Sequence, residues 1–405
     1  MIALVGAGCI KLADFHPGGG SGSGTPDART ADAANPGECG NGMPGQATAS
    51  MSGSAICAAG PGYVLRFPGS SFHYPDQLRI GTADVLGTSS ACNEESLIGE
   101  DAYPMKRFSS DSTATGETAS ATIILPGPTV AKVAVNWSLP LMSPCASSGM
   151  VSGHSTFTLF PDGRLVRYDE LTTPALASQT NCDCDSAAQL FLLTAYITFE
   201  PNITITKQTG ETIFPSTGEG MAMPQLVCVS DNGWRIAIVE QLVGRARNAT
   251  GGGIALTTDL DNTGAMSLSA GTRGGITAYK IGTDTCVNLL APIAQYMNAT
   301  GPQLHVHSAN GFDDTIGTER DGMYGGDNGT GNGLPTGGPG TLTLTTADTI
   351  PPGWALWVSG LTLGQPSATP ARTGNWFAIQ NVAGDAIIWF RDGLAAGQTI
   401  TVPAS

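Results

Sequence analysis

Four side chains of one predicted hairpin have the chemistry to cooperate in a proton transfer, namely His154, Tyr168, Arg164 and Glu170. Phe160-Pro161-Asp162-Gly163 reads as a type I turn. Proline presets φ, aspartate suits the next position, and glycine takes the left-handed conformation that closes a three-residue hairpin loop. The turn fixes the pairing as Leu159–Leu165, Thr158–Val166, Phe157–Arg167, Thr156–Tyr168, Ser155–Asp169 and His154–Glu170. Opposed residues share a face. One face then carries Phe157, Leu159 and Leu165 as a core contact, and the other carries His154, Thr156, Arg164, Tyr168 and Glu170. A histidine or tyrosine base beside a cation that neutralises a carboxylate is what abstraction of a proton next to a carboxyl group requires. The solvated side of a half-buried sheet holds the same residue types.

Three further groups carry chemistry. His305-Val306-His307 sets two imidazoles at alternate positions of a predicted strand, a spacing suited to one metal ion, with a third ligand needed from elsewhere. Asp259, Asp261 and Thr263, followed by Gly264, open like a calcium loop, so Ca2+ is the one cofactor expected, at a weak extracellular site. The distal glutamate of such a loop is missing, because Ala270 stands there. Trp354, Trp357, Trp376 and Trp389 crowd the C-terminal segment. They suit either a platform on which sugar rings stack or the core of a small β-module.

The elements that must position these groups are strands. With 55 Gly, 26 Pro and only 13% charged residues, the chain is a series of short β-branched runs cut by turn formers, which predicts an all-β protein. The expected architecture is an antiparallel β-sandwich, jelly-roll-like in one version. Strands are expected over 119–140, in the central hairpin, in 189–199, and in a second hairpin turning at Asp231-Asn232-Gly233. A short helix is expected over Val287–Asn298, limited by Pro292. The main domain is assigned to 55–307, a Gly-rich linker or loop to 308–340, and a C-terminal β-module or set of closing strands to 341–405.

The net charge of −15 excludes nucleic acid as a ready partner, since a polyanion is repelled by such a surface. Nine cysteines are informative because the number is odd. Met1-Ile-Ala-Leu-Val-Gly-Ala-Gly-Cys9 resembles the end of a bacterial lipoprotein signal peptide, which implies lipidation of Cys9 and an anchor in the cell envelope. It departs from the usual pattern in lacking a basic region and in placing Gly6 where leucine is commonest. With Cys9 set aside, Cys39, Cys57, Cys92, Cys145, Cys182, Cys184, Cys228 and Cys286 make an even set suited to four disulfides of open pairing. Residues 10–54, rich in Gly, Ser, Pro, Asp and Ala, resemble the tethers of bacterial surface lipoproteins, being too poor in large apolar residues to order themselves. These readings imply a lipid-anchored protein at the bacterial surface that binds polysaccharide or another surface ligand. In residue types alone, the polar face of the hairpin resembles the sites of β-sandwich polysaccharide lyases, and that activity is the alternative. A structural envelope component is the third reading.

Overall fold

The computed structural model describes residues 39–69, 75–86, 98–103, 118–140, 150–177, 192–199, 203–213, 221–223, 226–240, 244–248, 254–262, 267–268, 270–297, 304–308, 313–316, 323–324, 340–346, 349–358, 362–364 and 377–404. They form an antiparallel β-sandwich with a further layer of strands on the outside.

The centre is a nine-stranded sheet. Its strands are β7 (Thr118–Pro126), β8 (Ala131–Pro140), β9 (Met150–Leu159), β10 (Arg164–Thr173), β13 (Thr204–Lys207), β14 (Thr212–Ile213), β16 (Leu226–Asp231), β17 (Trp234–Glu240) and β21 (Gly271–Gly282), ordered β14-β13-β16-β17-β21-β10-β9-β8-β7. Before it in the chain comes a meander of β1 (Thr48–Ser52), β2 (Ala55–Gly60), β3 (Tyr63–Phe67), β4 (Gln77–Ile80) and β5 (Ala83–Asp84). A second five-stranded sheet combines β6 (Ile98–Tyr103), β12 (Leu192–Phe199), β15 (Met221–Met223), β18 (Gly244–Asn248) and β19 (Ile254–Asn262). The pair β11 (Leu176–Ala177) and β20 (Ser267–Leu268) is short. After α1 (Cys286–Leu290) and a 3-10 segment at Ala291–Met297, the chain makes two four-stranded sheets. One holds β22 (Leu304–Ser308), β23 (Asp313–Ile316), β25 (Gly340–Thr346) and β29 (Thr399–Ala404). The other holds β24 (Met323–Tyr324), β26 (Ala355–Val358), β27 (Phe377–Val382) and β28 (Asp385–Phe390).

The hairpin register expected from Phe160-Pro161-Asp162-Gly163 is the observed one, from Leu159 opposite Leu165 to His154 opposite Glu170. Phe160 and Arg164 close the loop by an N–H···O bond of 2.9 Å, and Gly163 sits at φ +89°. The second hairpin turns on Asn232-Gly233, with Gly233 at φ +94°.

Alternation then sorts the side chains. On the inner face Val133, Val135, Trp137, Phe157, Leu159, Leu165 and Leu171 pack with Leu65 and Phe67 of β3 and with Ile197 and Phe199 of β12. Each such side chain fully buried contributes roughly 1.5–3 kcal/mol. The Trp137 ring lies across Gly153 on the neighbouring strand, where an added Cβ would fall inside the ring's van der Waals envelope. Gly153→Ala is therefore expected to destabilise the fold by about 1–3 kcal/mol through overpacking, measured as a lower urea midpoint.

On the outer face Val166, Tyr168, Ala237, Val239 and Ala278 form a second core with Leu289, Leu290 and Ile293 and with the strands after 340. Thr285 caps α1 by accepting the Asn288 N–H, and the disulfide Cys228–Cys286 ties the helix to β16.

Two boundaries move. The segment expected to be a tether to residue 54 is folded from Cys39, which is disulfide-bonded to Cys57, and β1 runs through Thr48–Ser52. Only a few apolar residues are needed there, because the disulfide and pairing with β2 offset the ordering entropy. The Gly-rich 308–340 segment contains β23, hydrogen-bonded to β22, and places Met323 in the outer core. Closing spans of 18 and 58 residues, the two disulfides restrict the unfolded chain by about 3 and about 4 kcal/mol respectively. Cys9, Cys92, Cys145, Cys182 and Cys184 lie outside the described residues.

Candidate functional site

The four hairpin residues do not form one site. Arg164 stands six residues from Glu170 along β10, about 20 Å, and is fully buried. Its Nε donates to Asp162 Oδ2 at 2.7 Å, its Nη2 donates to the carbonyl of Gly353, and its guanidinium lies 4.8 Å from the Phe160 ring centroid. Asp162 also pairs with Lys280, and the Tyr63 hydroxyl donates to the Arg164 carbonyl at 3.1 Å. Arg164 thus pins together the N-terminal meander, the hairpin turn, β21 and the C-terminal strands. A cation held this way cannot neutralise a substrate carboxylate near His154, so the catalytic set expected for a lyase is broken up.

Burial by itself would raise the Asp162 carboxyl, but Arg164 and Lys280, helped by backbone and side-chain hydrogen bonds, hold it below the ordinary carboxylate range. A depressed folded-state value supplies stability that is present above the unfolded pKa and is lost as pH falls through the folded one. Urea midpoints are expected to drop on acidification below about pH 4, with a smaller drop in Asp162→Asn.

Of the remaining three residues, Tyr168 is buried in the outer core, and His154 and Glu170 lie half-buried towards the other end of the same face. His154 Nδ1 is 2.7 Å from Asn136 Oδ1 on β8. With the amide oxygen facing it, Nδ1 is the donor of this pair. Glu170, directly opposite His154 on β10, accepts from the Tyr168 hydroxyl. Tyr168 is buried, whereas His154 and Glu170 are half-buried and Asn136 is exposed. Gly274, on β21 opposite Glu170, is what admits the tyrosine hydroxyl, since a Cβ there would come 3.2 Å from it and 2.5 Å from the Asp169 carbonyl.

Register extends this group into a strip across five strands. Ser120, Asn136, His154, Glu170 and Gly274 form one cross-strand row, and Thr118, Ser138, Ser152, Thr172 and Thr272 form the next. Thr172 and Thr272 hydroxyls bond each other at 3.0 Å. Nothing in the residue types around Asn136 and Gly274 marks them as part of a site. Their place follows only from which strand neighbours which.

The other candidates fall elsewhere. Trp354, Trp357 and Trp389 are 2%, 6% and 8% exposed and belong to the outer core, so none presents a ring face to a sugar. Trp357 Nε1 donates to Asp385 at 3.0 Å and Trp389 Nε1 to the Gly353 carbonyl at 2.9 Å. Trp376 and Thr263 lie outside the described residues. Asp259 and Asp261 are strand residues of β19, paired with Thr194 and Leu193 across a bulge. That extended backbone is not the tight loop expected for calcium, because pairing with β12 holds it in the sheet. His305 and His307 alternate along β22, and Asp313 stands opposite His307. Among the described residues no three His, Cys, Asp or Glu side chains converge as a metal site.

Neither protein-family models nor curated protein sequences match this chain. Among solved structures it is similar to a proposed aldose 1-epimerase from Klebsiella pneumoniae (9% identity, TM-score 0.39, 61% of this chain and 85% of that one). It is also similar to a galactose 1-epimerase from Lactobacillus acidophilus (8%, 0.37, 57% and 95%). An alpha-mannosidase from Enterococcus faecalis aligns over 75% of this chain and 37% of its own, at 9% identity and TM-score 0.36.

Proposed function

We propose that the protein is a lipid-anchored component of a bacterial envelope that binds polysaccharide through the polar strip on the outer face of the central sheet, without cleaving it. The observation that carries the non-catalytic reading is the separation of Arg164 from His154, Tyr168 and Glu170, which reaches about 20 Å along one strand. With Arg164 held elsewhere, the hairpin does not supply the charge-neutralising group that proton abstraction beside a carboxylate needs. A row of hydrogen-bonding side chains at exposed and half-buried positions suits adhesion to a polymer. The disulfides Cys39–Cys57 and Cys228–Cys286 support an oxidising compartment outside the cytosol.

The test is a glycan array run beside an absorbance assay for unsaturated uronate products. Binding with no product is expected, and product formation would return the lyase reading to first place. For the anchor, incorporation of labelled fatty acid is expected in the full chain and is expected to disappear in Cys9→Ser. Label that persists in that variant rules Cys9 out.

A further inference from the structure

Resting on the binding role just proposed, we infer that the strip takes a neutral polyhydroxylated chain lying across the strands, and that a polyuronate is excluded. Neighbouring strands are about 4.8 Å apart and same-face residues along one strand about 6.8 Å apart. Five strands therefore offer two parallel rows about 19 Å long. A polymer crossing the strands meets a new pair of side chains at each step, an interval close to the advance of one sugar in an extended glycan.

The chemistry of the rows matches hydroxyl groups. Thr118, Ser138, Ser152, Thr172 and Thr272 both donate and accept, Asn136 offers a carboxamide, and His154 an imidazole. Glu170, which also accepts from the Tyr168 hydroxyl, is an acceptor, and hydroxyls donating to a carboxylate make the stronger, charge-assisted bonds. Gly274 adds no side chain of its own beside this pair, where a Cβ would come 2.5 Å from the Asp169 carbonyl and 3.2 Å from the Tyr168 hydroxyl. All positions of the two rows are exposed or half-buried wherever their side chains are described.

Charge selects among polymers. Glu170 is the one carboxylate of the two rows, and it stands on a chain of net charge −15. Of the cations on the same face, Lys132, Arg164 and Lys280 lie under or beside the C-terminal strands, with Lys132 5.9 Å from the Trp357 ring centroid, and Arg235 donates to the Thr283 carbonyl on β17's side of the sheet, outside the five strands of the strip. A uronate would meet repulsion here with no cation of the rows to offset it.

The test uses the full chain and four probes, a soluble β-glucan, a mannan, polygalacturonate and chitosan, in binding assays at low and physiological salt. Binding to at least one neutral polymer is expected, insensitive to salt, with polygalacturonate inert. Gly274→Trp and Ser152→Trp are expected to weaken it at least tenfold and Glu170→Gln about tenfold, while Thr401→Trp, on an exposed position of β29, leaves it unchanged. Unchanged thermal unfolding of Ser152→Trp, an exposed site, shows that its loss of binding is not loss of fold. Binding confined to polygalacturonate or chitosan, or neutral binding indifferent to all three strip substitutions, overturns this inference and leaves the binding role standing. No binding to any polymer on the probe set or on the glycan array overturns both.

Discussion

Replacing Arg164 by alanine is expected to destabilise the protein by about 3 kcal/mol or more, and to do so first in the C-terminal strands. Removing one partner of a buried ion pair costs roughly 3–5 kcal/mol because the other charge stays behind without compensation. Here Lys280 still neutralises Asp162, which is 26% exposed at its side chain, so that part of the loss falls at the low end. The Gly353 carbonyl keeps the Trp389 indole as a donor but loses the guanidinium, and a long side chain leaves a cavity at the junction of four elements. Gly353, at φ +87° with the guanidinium packed against it, has no side chain of its own to fill the gap. Arg164→Lys keeps the charge but cannot reach Asp162 and Gly353 in one planar fork, and an intermediate loss is expected. Urea unfolding measures the size. Amide exchange locates it: protection in 353–358 and 385–390 should fall before that of β8 to β10. A uniform fall would show that Arg164 supports the sheet rather than the docking of the outer strands.

The second large effect is expected at Asp169. With Arg167 it forms an ion pair at 2.7 Å inside the sandwich, both side chains 1% exposed, and the guanidinium lies 5.7 Å from the Phe157 ring centroid. Asp169→Ala leaves Arg167 charged and buried, for a loss of about 3–5 kcal/mol. Replacing both by leucine removes the charges together, and buried pairs exchanged for packed apolar residues are often neutral or stabilising. The double variant is therefore expected to be far more stable than Asp169→Ala, a non-additivity that a double-mutant cycle reads directly. If the double variant instead matches the sum of the two single losses, the pair is held by other polar neighbours and the interior there is not ready to become apolar.

Much of the central hairpin is legible from residue types alone. Pro161, Asp162 and Gly163 are local instructions, and once a turn is fixed the pairing of every residue on both arms follows by counting. The Asn232-Gly233 turn and the short helix near Pro292 are readable for the same reason. What counting does not reveal is what covers each face. Alternation puts Arg164, Tyr168 and Glu170 together on a side expected to be solvated. In the fold the C-terminal strands cover Arg164 and Tyr168 and stop short of Glu170 and His154. Arg167 and Asp169 escape sequence reasoning because a sandwich interior is expected to be apolar, and their mutual pairing helps make them admissible there.

By itself the sequence determined the strand-rich class, the turns, the hairpin register and the presence of cysteines suited to cross-linking, since these depend on neighbours within a few residues or on composition. Tertiary structure alone decided which strands became neighbours beyond the hairpins, that Cys39 joins Cys57 and Cys228 joins Cys286, that three tryptophans became core, and that Asn136 and Gly274 join His154 and Glu170 in one row. Those outcomes depend on contacts between residues 18 to 250 positions apart, where no local preference operates and the burial of apolar area chooses the arrangement.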